Sequence, residues 1–310
     1  MSGGHGHSHG PSSPDADRRW LAGALAVITT FMLGEVVVGV LAGSLALISD
    51  AAHMLTDAAS IALALWAIRL AARPAAGRMT YGWKRVEVLS AQANGVTLLV
   101  LAGWLGYEAV RRLIEPPAVA GTLVLVTALV GVAVNVAATV MISRANRSSL
   151  NVEGAFQHIL TDLYAFIATA VAGVVMMFTG YARADAIATL VVVALMVRAG
   201  VGLVRAASLV FLEAAPRDLD PAAIGEAMAR HPAVAQVRDL HVWEITTGAP
   251  AMSAHVVIAA DSDYHAIKRE LAQVLAQEHG IEHSTLQLDL PDASSAHAAD
   301  DCAHCEAGHD

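Results

Sequence analysis

The sequence is short of charged residues and of cysteine. Only 15% of its 310 residues are charged and 56% are hydrophobic, and the mean hydropathy is +0.54. This composition excludes an ordinary soluble domain and predicts several membrane spans. The two cysteines, Cys302 and Cys305, lie too close together to staple a fold, which excludes a disulfide framework. The N-terminus is polar and the first apolar run is too long for a cleavable signal peptide, so none is expected.

Charge is distributed unevenly along the chain. Residues 1–212 contain 14 Lys and Arg against 11 Asp and Glu, whereas residues 213–310 contain 5 against 17, a net charge of −12. Nine of the 14 histidines also lie in this C-terminal part. An acidic, histidine-rich region argues against nucleic acid as a partner and favours cations.

Histidine is scarce in the apolar part of the chain. Between residues 18 and 212 only His53 and His158 occur, and each is followed four residues later by an aspartate, Asp57 or Asp162. On a helix this spacing places both side chains on one face. One such pair could be two polar groups bonded to a neighbouring helix. Two matched pairs in apolar surroundings indicate a functional site, because ionisable groups inside a membrane are costly.

Six apolar segments are long enough to cross a bilayer, and lipid requires each of them to be helical. They cover residues 20–42, 47–70, 86–109, 118–143, 151–180 and 184–206. The sequence therefore predicts an all-α six-helix transmembrane domain over residues 18–212, after a histidine-rich disordered tail, 1–17. The tail histidines could capture metal loosely or be part of a solvated linker.

The Lys and Arg residues near the segment ends predict the orientation. Nine lie in the N-terminal tail and in the loops after the second and fourth segments, and three lie in the opposite loops. Because the more basic side faces the cytoplasm, both termini are expected there, in a multi-pass protein of the cell membrane.

Residues 213–290 carry a different pattern, which predicts a small α+β domain of order α-β-β-α-β with its helices on one face of the sheet. Asp220 and Pro221 open the first helix, and Gly280 ends the second. The loop Thr247–Pro250 joins the first two strands. Residues 291–310 are expected to form a flexible tail that contains Cys and His.

The chemistry of the two pairs favours transport of a metal ion. Both fall near the middle of a ~30 Å hydrocarbon core, where two packed antiparallel helices would bring them together. Two imidazoles and two carboxylates suit tetrahedral zinc, and the carboxylates neutralise its charge. Four protein ligands leave no open position for hydrolysis, so no enzyme is predicted. Because metal binding needs deprotonated ligands, metal competes with protons, which provides a mechanism for exchange.

The chain resembles the cation diffusion facilitator family, in particular its zinc-exporting branch. The likeness covers roughly residues 20–290 and is carried by the two His-x-x-x-Asp pairs and by the stretches Leu45–Asp57, Tyr81–Leu89, Asp239–Trp243 and Ser253–Val256. It implies a homodimer with a ferredoxin-like, metallochaperone-like cytoplasmic domain, and zinc export in exchange for protons. His53, Asp57, His158 and Asp162 occupy the family's transport-site positions.

The resemblance also implies further zinc sites outside the membrane. Candidate ligands of a regulatory cytoplasmic site are His241, His255, His283 and Asp289. Tail cysteines complete such a site in some members, so Cys302 and Cys305 are possible ligands, although a redox pair is the alternative. Some relatives bind metal in the loop between the second and third helices, but this loop, residues 73–85, contains no His, Asp or Cys.

Two other interpretations are weighed against transport. A membrane metal sensor would use the same ligands without moving an ion, but the chain has no motif that would receive a signal. The string from His279 to His283 matches the H-x-x-E-H of an inverted zinc protease, which requires a continuous helix that Gly280 is expected to break. Glu35 and Asn135 either line a pathway or form hydrogen bonds between helices.

Overall fold

Six long helices make up the first part of the chain in the computed structural model, which describes residues 14–42, 45–115, 121–147, 149–181, 183–260 and 263–291. The helices are α1 Pro14–Ala42, α2 Leu45–Ala71, α3 Val86–Ile114, α4 Gly121–Ser143, α5 Leu150–Thr179 and α6 Ala184–Phe211. Within the described residues, five of them contain a stretch long and apolar enough to span a membrane, and α4 contains a shorter apolar stretch, Ala128–Ser143. The predicted helical membrane part is confirmed.

Several helices are longer than their apolar segments. α1 begins at Pro14, so the last four residues of the predicted tail are helical, and α3 and α6 extend about one turn past the predicted ends. Near the C-terminal end of α3, charged side chains pair with one another. Arg112 contacts Glu108 on its own helix at 3.0 Å and Asp185 on α6 at 3.4 Å.

The six helices pack as two groups. Helices α1, α2, α4 and α5 share one core, which includes Leu21, Ile61 and Ile159, all fully buried. Helix α3 packs mainly against α6, where two glycines allow close approach. A Cβ built at Gly95 would lie 3.2 Å from the carbonyl oxygen of Gly200, which leaves little room for a side chain. Small residues at such crossings are typical of membrane helices.

The second unit, Leu212–Asp310, has its own core. Its elements are α7 Pro221–Ala229, β1 Val234–Thr246, β2 Ala249–Ile258, α8 Tyr264–His279 and β3 His283–Asp289. The strands are ordered β1-β2-β3, with β1 antiparallel and β3 parallel to β2. Apolar residues of α7 and α8 pack on the sheet together with alternate strand residues such as Met252 and Val256. The predicted α-β-β-α-β order is confirmed.

The turns follow the chemistry of their residues. Asp220 caps α7 by accepting a hydrogen bond from the Ala222 N–H at 2.9 Å. α8 ends at His279 because Gly280 adopts φ +65°, so the predicted break in the H-x-x-E-H string is confirmed. The β1–β2 turn is only Thr247 and Gly248, shorter than the predicted loop. Pro250 lies within β2, ahead of the first residue that pairs with β3, so its missing N–H costs no bond to that strand.

Candidate metal centre

A hydrogen bond between α2 and α5 sets the register of the two helices. The Asn151 side chain is fully buried and donates from Nδ2 to the Ala64 carbonyl oxygen at 2.9 Å. His158 lies seven residues after Asn151, and Asp57 lies seven residues before Ala64. Because seven residues are about two turns on each antiparallel helix, the bond places His158 opposite Asp57.

The structure brings Asp57, His158 and Asp162 together. His158 Nε2 lies 3.3 Å from Asp57 Oδ1 and 3.8 Å from Asp162 Oδ2. The side chains of His158 and Asp57 are 1% and 6% exposed, and that of Asp162 is 23% exposed. Among the described residues these three form the one group of acidic, His or Cys side chains whose candidate ligand atoms all lie within 4.8 Å of each other.

These separations fit a divalent ion better than a hydrogen-bonded triad. Two ligand atoms about 2.1 Å from zinc and at the tetrahedral angle lie roughly 3.4 Å apart. The observed 3.3 and 3.8 Å are close to this value but beyond the ordinary range of hydrogen bonds. Neither ring nitrogen of His158 has a hydrogen-bond partner within the described part of the chain. The donor set, one imidazole nitrogen and two carboxylate oxygens, is one that zinc accepts.

The fourth predicted ligand is His53. Its backbone belongs to α2, one turn before Asp57, but its side chain lies outside the described residues. Ligation by His53 therefore stays a prediction.

The second unit carries a chain of contacts between imidazoles and carboxylates on the surface of its sheet. His241 Nε2 contacts Asp239 Oδ1 at 2.9 Å, and His255 Nε2 lies 3.7 Å from Asp239 Oδ2. On its other side His255 Nδ1 lies 3.3 Å from Asp289 Oδ2. Three of the four predicted cytoplasmic ligands are thus connected, through an aspartate that sequence reasoning did not single out.

Asp239 reaches both histidines because β1 bulges there. The pairing of β1 with β2 shifts register between Arg238 and His241, and Asp239 adopts φ +52°, which is uncommon for a residue other than glycine. Strand alternation cannot reveal a bulge. The signal available in the sequence was the short Asp239–His241 spacing.

His283 lies elsewhere on the sheet. It pairs with Ala251 at the start of β3, whereas His255 pairs with Gln287. Four residues along a strand separate the two positions by roughly 13 Å. At this separation His283 and His255 cannot bind the same ion directly. Cys302 and Cys305 lie outside the described residues, as do the N-terminal histidines.

The Asp289 carboxylate is stabilised in its charged form. The hydrogen bond from Gln287, followed by the contacts with His255 and Arg238, lowers the pKa of Asp289 below its ordinary value. Gln287 Nε2 donates to Asp289 Oδ1 at 3.1 Å. An ionised carboxylate beside an imidazole is the state in which both groups can bind a cation.

The long apolar helices define a multi-pass membrane protein. The buried imidazole and carboxylates define a candidate divalent-cation site inside its helical bundle. Residues 21–212 match the model of the cation efflux transmembrane domain, and residues 216–290 match that of the cation efflux protein, cytoplasmic domain. The chain belongs to the cation efflux family, whose members are transporters and not enzymes.

Relatives are similar over nearly the whole chain. The metal cation efflux system protein CzcD of Cupriavidus metallidurans is 38% identical over 302 residues, which cover 96% of this chain and 94% of that protein. The cadmium, cobalt and zinc/H(+)-K(+) antiporter of Bacillus subtilis is 32% identical, covering 98% and 96%. The human proton-coupled zinc antiporter SLC30A8 is 31% identical, covering 98% and 86%.

Proposed function

We propose that the protein exports zinc from the cytoplasm in exchange for protons, and that the ion is carried by Asp57, His158 and Asp162 together with His53. The observation that carries the proposal is the group of two carboxylates and one imidazole, with facing atoms 3.3 to 3.8 Å apart, between α2 and α5. Two of the similar proteins are named for both zinc and protons.

The charges explain why a divalent ion would enter an apolar bundle. Two ionised carboxylates match the two positive charges of zinc, and the pair is far less costly in a low dielectric than either partner alone. When the ion leaves, the two carboxylates would face each other without it. Protons can take its place, because ligation requires ionised carboxylate and neutral imidazole. The site therefore binds either the metal ion or protons but not both, and exchange of one for the other requires this.

The acidic second unit has a supporting role in this proposal. His241, His255 and Asp289, with Asp239 between the two histidines, hold a further zinc ion at the cytoplasmic surface and link zinc concentration to the homodimer. The contacts of 2.9 to 3.7 Å among these side chains support it. Cys302, Cys305 and His283 would then be accessory ligands, each testable by substitution.

Flux measurements separate transport from sensing. The full chain is reconstituted in proteoliposomes that contain a zinc indicator and a pH dye, and zinc, cadmium, manganese or iron is added outside. Zinc entry accompanied by proton release from the lumen is expected, with smaller signals for manganese and iron, which prefer oxygen-rich sites. Zinc binding without any metal entry would reject transport in favour of a sensor. Zinc entry without a proton signal would reject the exchange alone.

A further inference from the structure

One buried polar side chain in the bundle is not used by the site described so far. Asn135 on α4 is fully buried. Its Nδ2 donates to the Gly131 carbonyl oxygen of the same helix at 3.1 Å, while its Oδ1 has no hydrogen-bond partner in the described part of the chain. Buried acceptors in folded proteins nearly always have a partner, so an unpaired one inside a bundle calls for an explanation. The bond to Gly131 stays within α4.

The contacts of α4 with α5 fix the depth of Asn135. A Cβ added at Gly131 would overlap the ring of Phe166, so these two residues face each other across the helix pair. Four residues towards the C-terminus of α4 lies Asn135, and four residues towards the N-terminus of α5 lies Asp162. Because the helices are antiparallel, both steps lead in the same direction by about one turn. Asn135 therefore lies at the level of Asp162, on the facing side of α4.

A second contact gives the same register. A Cβ built at Gly173 on α5 would lie 3.4 Å from the backbone nitrogen of Leu125 on α4. Counting ten residues forward from Leu125 and eleven back from Gly173 leads again to Asn135 and Asp162. The two contacts, which lie six residues apart on α4 and seven apart on α5, thus give the same register to within one residue. Asp162 Oδ2 also has no hydrogen-bond partner among the residues the structure describes.

From this placement we propose that Asn135 Oδ1 is an additional oxygen donor to the metal ion held by Asp57, His158 and Asp162. This inference rests on the proposed function and adds a third helix, α4, to the site. A carboxamide oxygen brings no charge, so it can add a fifth ligand without disturbing the balance between the ion and two carboxylates. It is also a hard donor, which manganese favours more than zinc does. Asn135 is therefore expected to influence which ion the site prefers.

The test is equilibrium metal binding by the purified full chain in detergent. Zinc and manganese are titrated against a chelating dye, and the binding event that Asp162→Ala removes defines the membrane site. Asn135→Leu should weaken zinc binding at that site by about tenfold or more, as is typical for residues that support a metal centre. It should weaken manganese binding by a larger factor. Asn135→Asp keeps an oxygen and should retain zinc binding while lowering the zinc-to-manganese affinity ratio.

Ser143→Ala is the matched control. Ser143 lies about two turns further along α4, and its exposed Oγ donates to the Val140 carbonyl oxygen of its own helix at 2.9 Å. This change should leave zinc affinity unchanged. Unaltered zinc affinity in Asn135→Leu overturns the proposal. The proposal is also overturned if Asn135→Leu and Asn135→Asp lose zinc affinity equally and in proportion to their loss of thermal stability.

If Asn135→Leu does not fold, the zinc-to-manganese affinity ratio of Asn135→Asp tests the proposal by itself. A ratio lowered at least about threefold supports the oxygen-donor role, and an unchanged ratio overturns it. Failure of the proposed function would look different. In that case Asp162→Ala would remove no zinc-binding event from the chain, whatever Asn135 does.

Discussion

At the scale of single residues, the proposed membrane site depends on a few side chains with different tasks. Asp57 and Asp162 supply charge, His158 supplies a nitrogen facing both, and Asn151 holds the two helices at the height where these groups meet. The i, i+4 spacing predicted that each His–Asp pair shares a helix face. It could not predict that the bond from Asn151 to Ala64, which joins residues 87 positions apart, fixes their alignment.

Replacing Asn151 should therefore affect stability and metal binding together. Asn151→Leu removes an interhelical hydrogen bond, which is worth about 1 kcal/mol in membrane proteins. It also frees α2 and α5 to shift, so zinc affinity at the membrane site should fall. Thermal unfolding and zinc titration of the full chain measure the two effects.

Thr97→Val provides the comparison for Asn151. Thr97 Oγ1 donates to the Ala93 carbonyl oxygen on its own helix, at 2.9 Å, and this bond is exposed. Both quantities should stay near their wild-type values in this variant. Wild-type zinc affinity in Asn151→Leu would show that the bond does not align the site.

Asp289 gives a prediction for acid stability in residues 213–290. Its pKa is lower in the folded state than the ordinary value of ~3.9, chiefly through the Gln287 hydrogen bond. Its stabilising contribution is hence present above pH ~4 and is lost as the pH falls through the folded pKa. Asp289→Asn should be less stable than wild type at pH 6, and the difference should shrink towards pH 2. Urea unfolding at several pH values tests this, with the exposed Asp218→Asn as control. A difference that is constant with pH would contradict it.

At the scale of elements, apolar length and turn residues predicted most of the architecture. The six apolar segments and the α-β-β-α-β order follow from hydropathy, strand alternation and residues such as Gly280. Other features depend on contacts distant in sequence. The bulge that turns Asp239 towards two histidines and the glycine contact between α3 and α6 leave no local pattern. These features also decide which polar groups meet, which is why local pattern alone could not place Asp239 beside His241 and His255.

The α3–α6 crossing should be sensitive to a single methyl group. In Gly95→Ala the added carbon would lie 3.0 Å from side-chain atoms of Leu203 and Val204 and 3.2 Å from the Gly200 carbonyl oxygen. Relieving this overlap should cost about 1–3 kcal/mol. Gly103→Ala, on the same helix with nothing within 4 Å of the new carbon, should be neutral or slightly stabilising. Unfolding of both variants in detergent is the measurement, and equal stabilities would mean that the close approach is not required.

At the scale of the whole molecule, the distribution of charge matches the division into two units. The helical unit carries the buried site, and the acidic unit carries exposed histidines and carboxylates. An excess of negative charge draws cations towards the surface by several-fold in local concentration. The direction of transport depends on which side of the membrane this unit occupies.

Cysteine labelling tests that orientation. After Cys302 and Cys305 are replaced by serine, Glu115→Cys and Arg78→Cys place single thiols at opposite ends of the helical unit. The more basic loops should face the cytoplasm, so only the cysteine at position 115 should react with an impermeant maleimide on intact cells. Both should react after permeabilisation. Labelling at position 78 alone would reverse the orientation and turn export into import.

The measurement that tests the central claim most directly is zinc uptake by Asp57→Ala in proteoliposomes, beside wild type and Asp185→Asn. Asp57 is 6% exposed and faces His158, whereas Asp185 pairs with Arg112 far from the site. Removing one partner of a buried charged group costs about 3–5 kcal/mol, or roughly a hundredfold or more in affinity. Asp57→Ala should therefore show no uptake above empty vesicles, while Asp185→Asn should transport zinc at nearly the wild-type rate. Uptake by Asp57→Ala at the wild-type rate would contradict a site built on Asp57, His158 and Asp162.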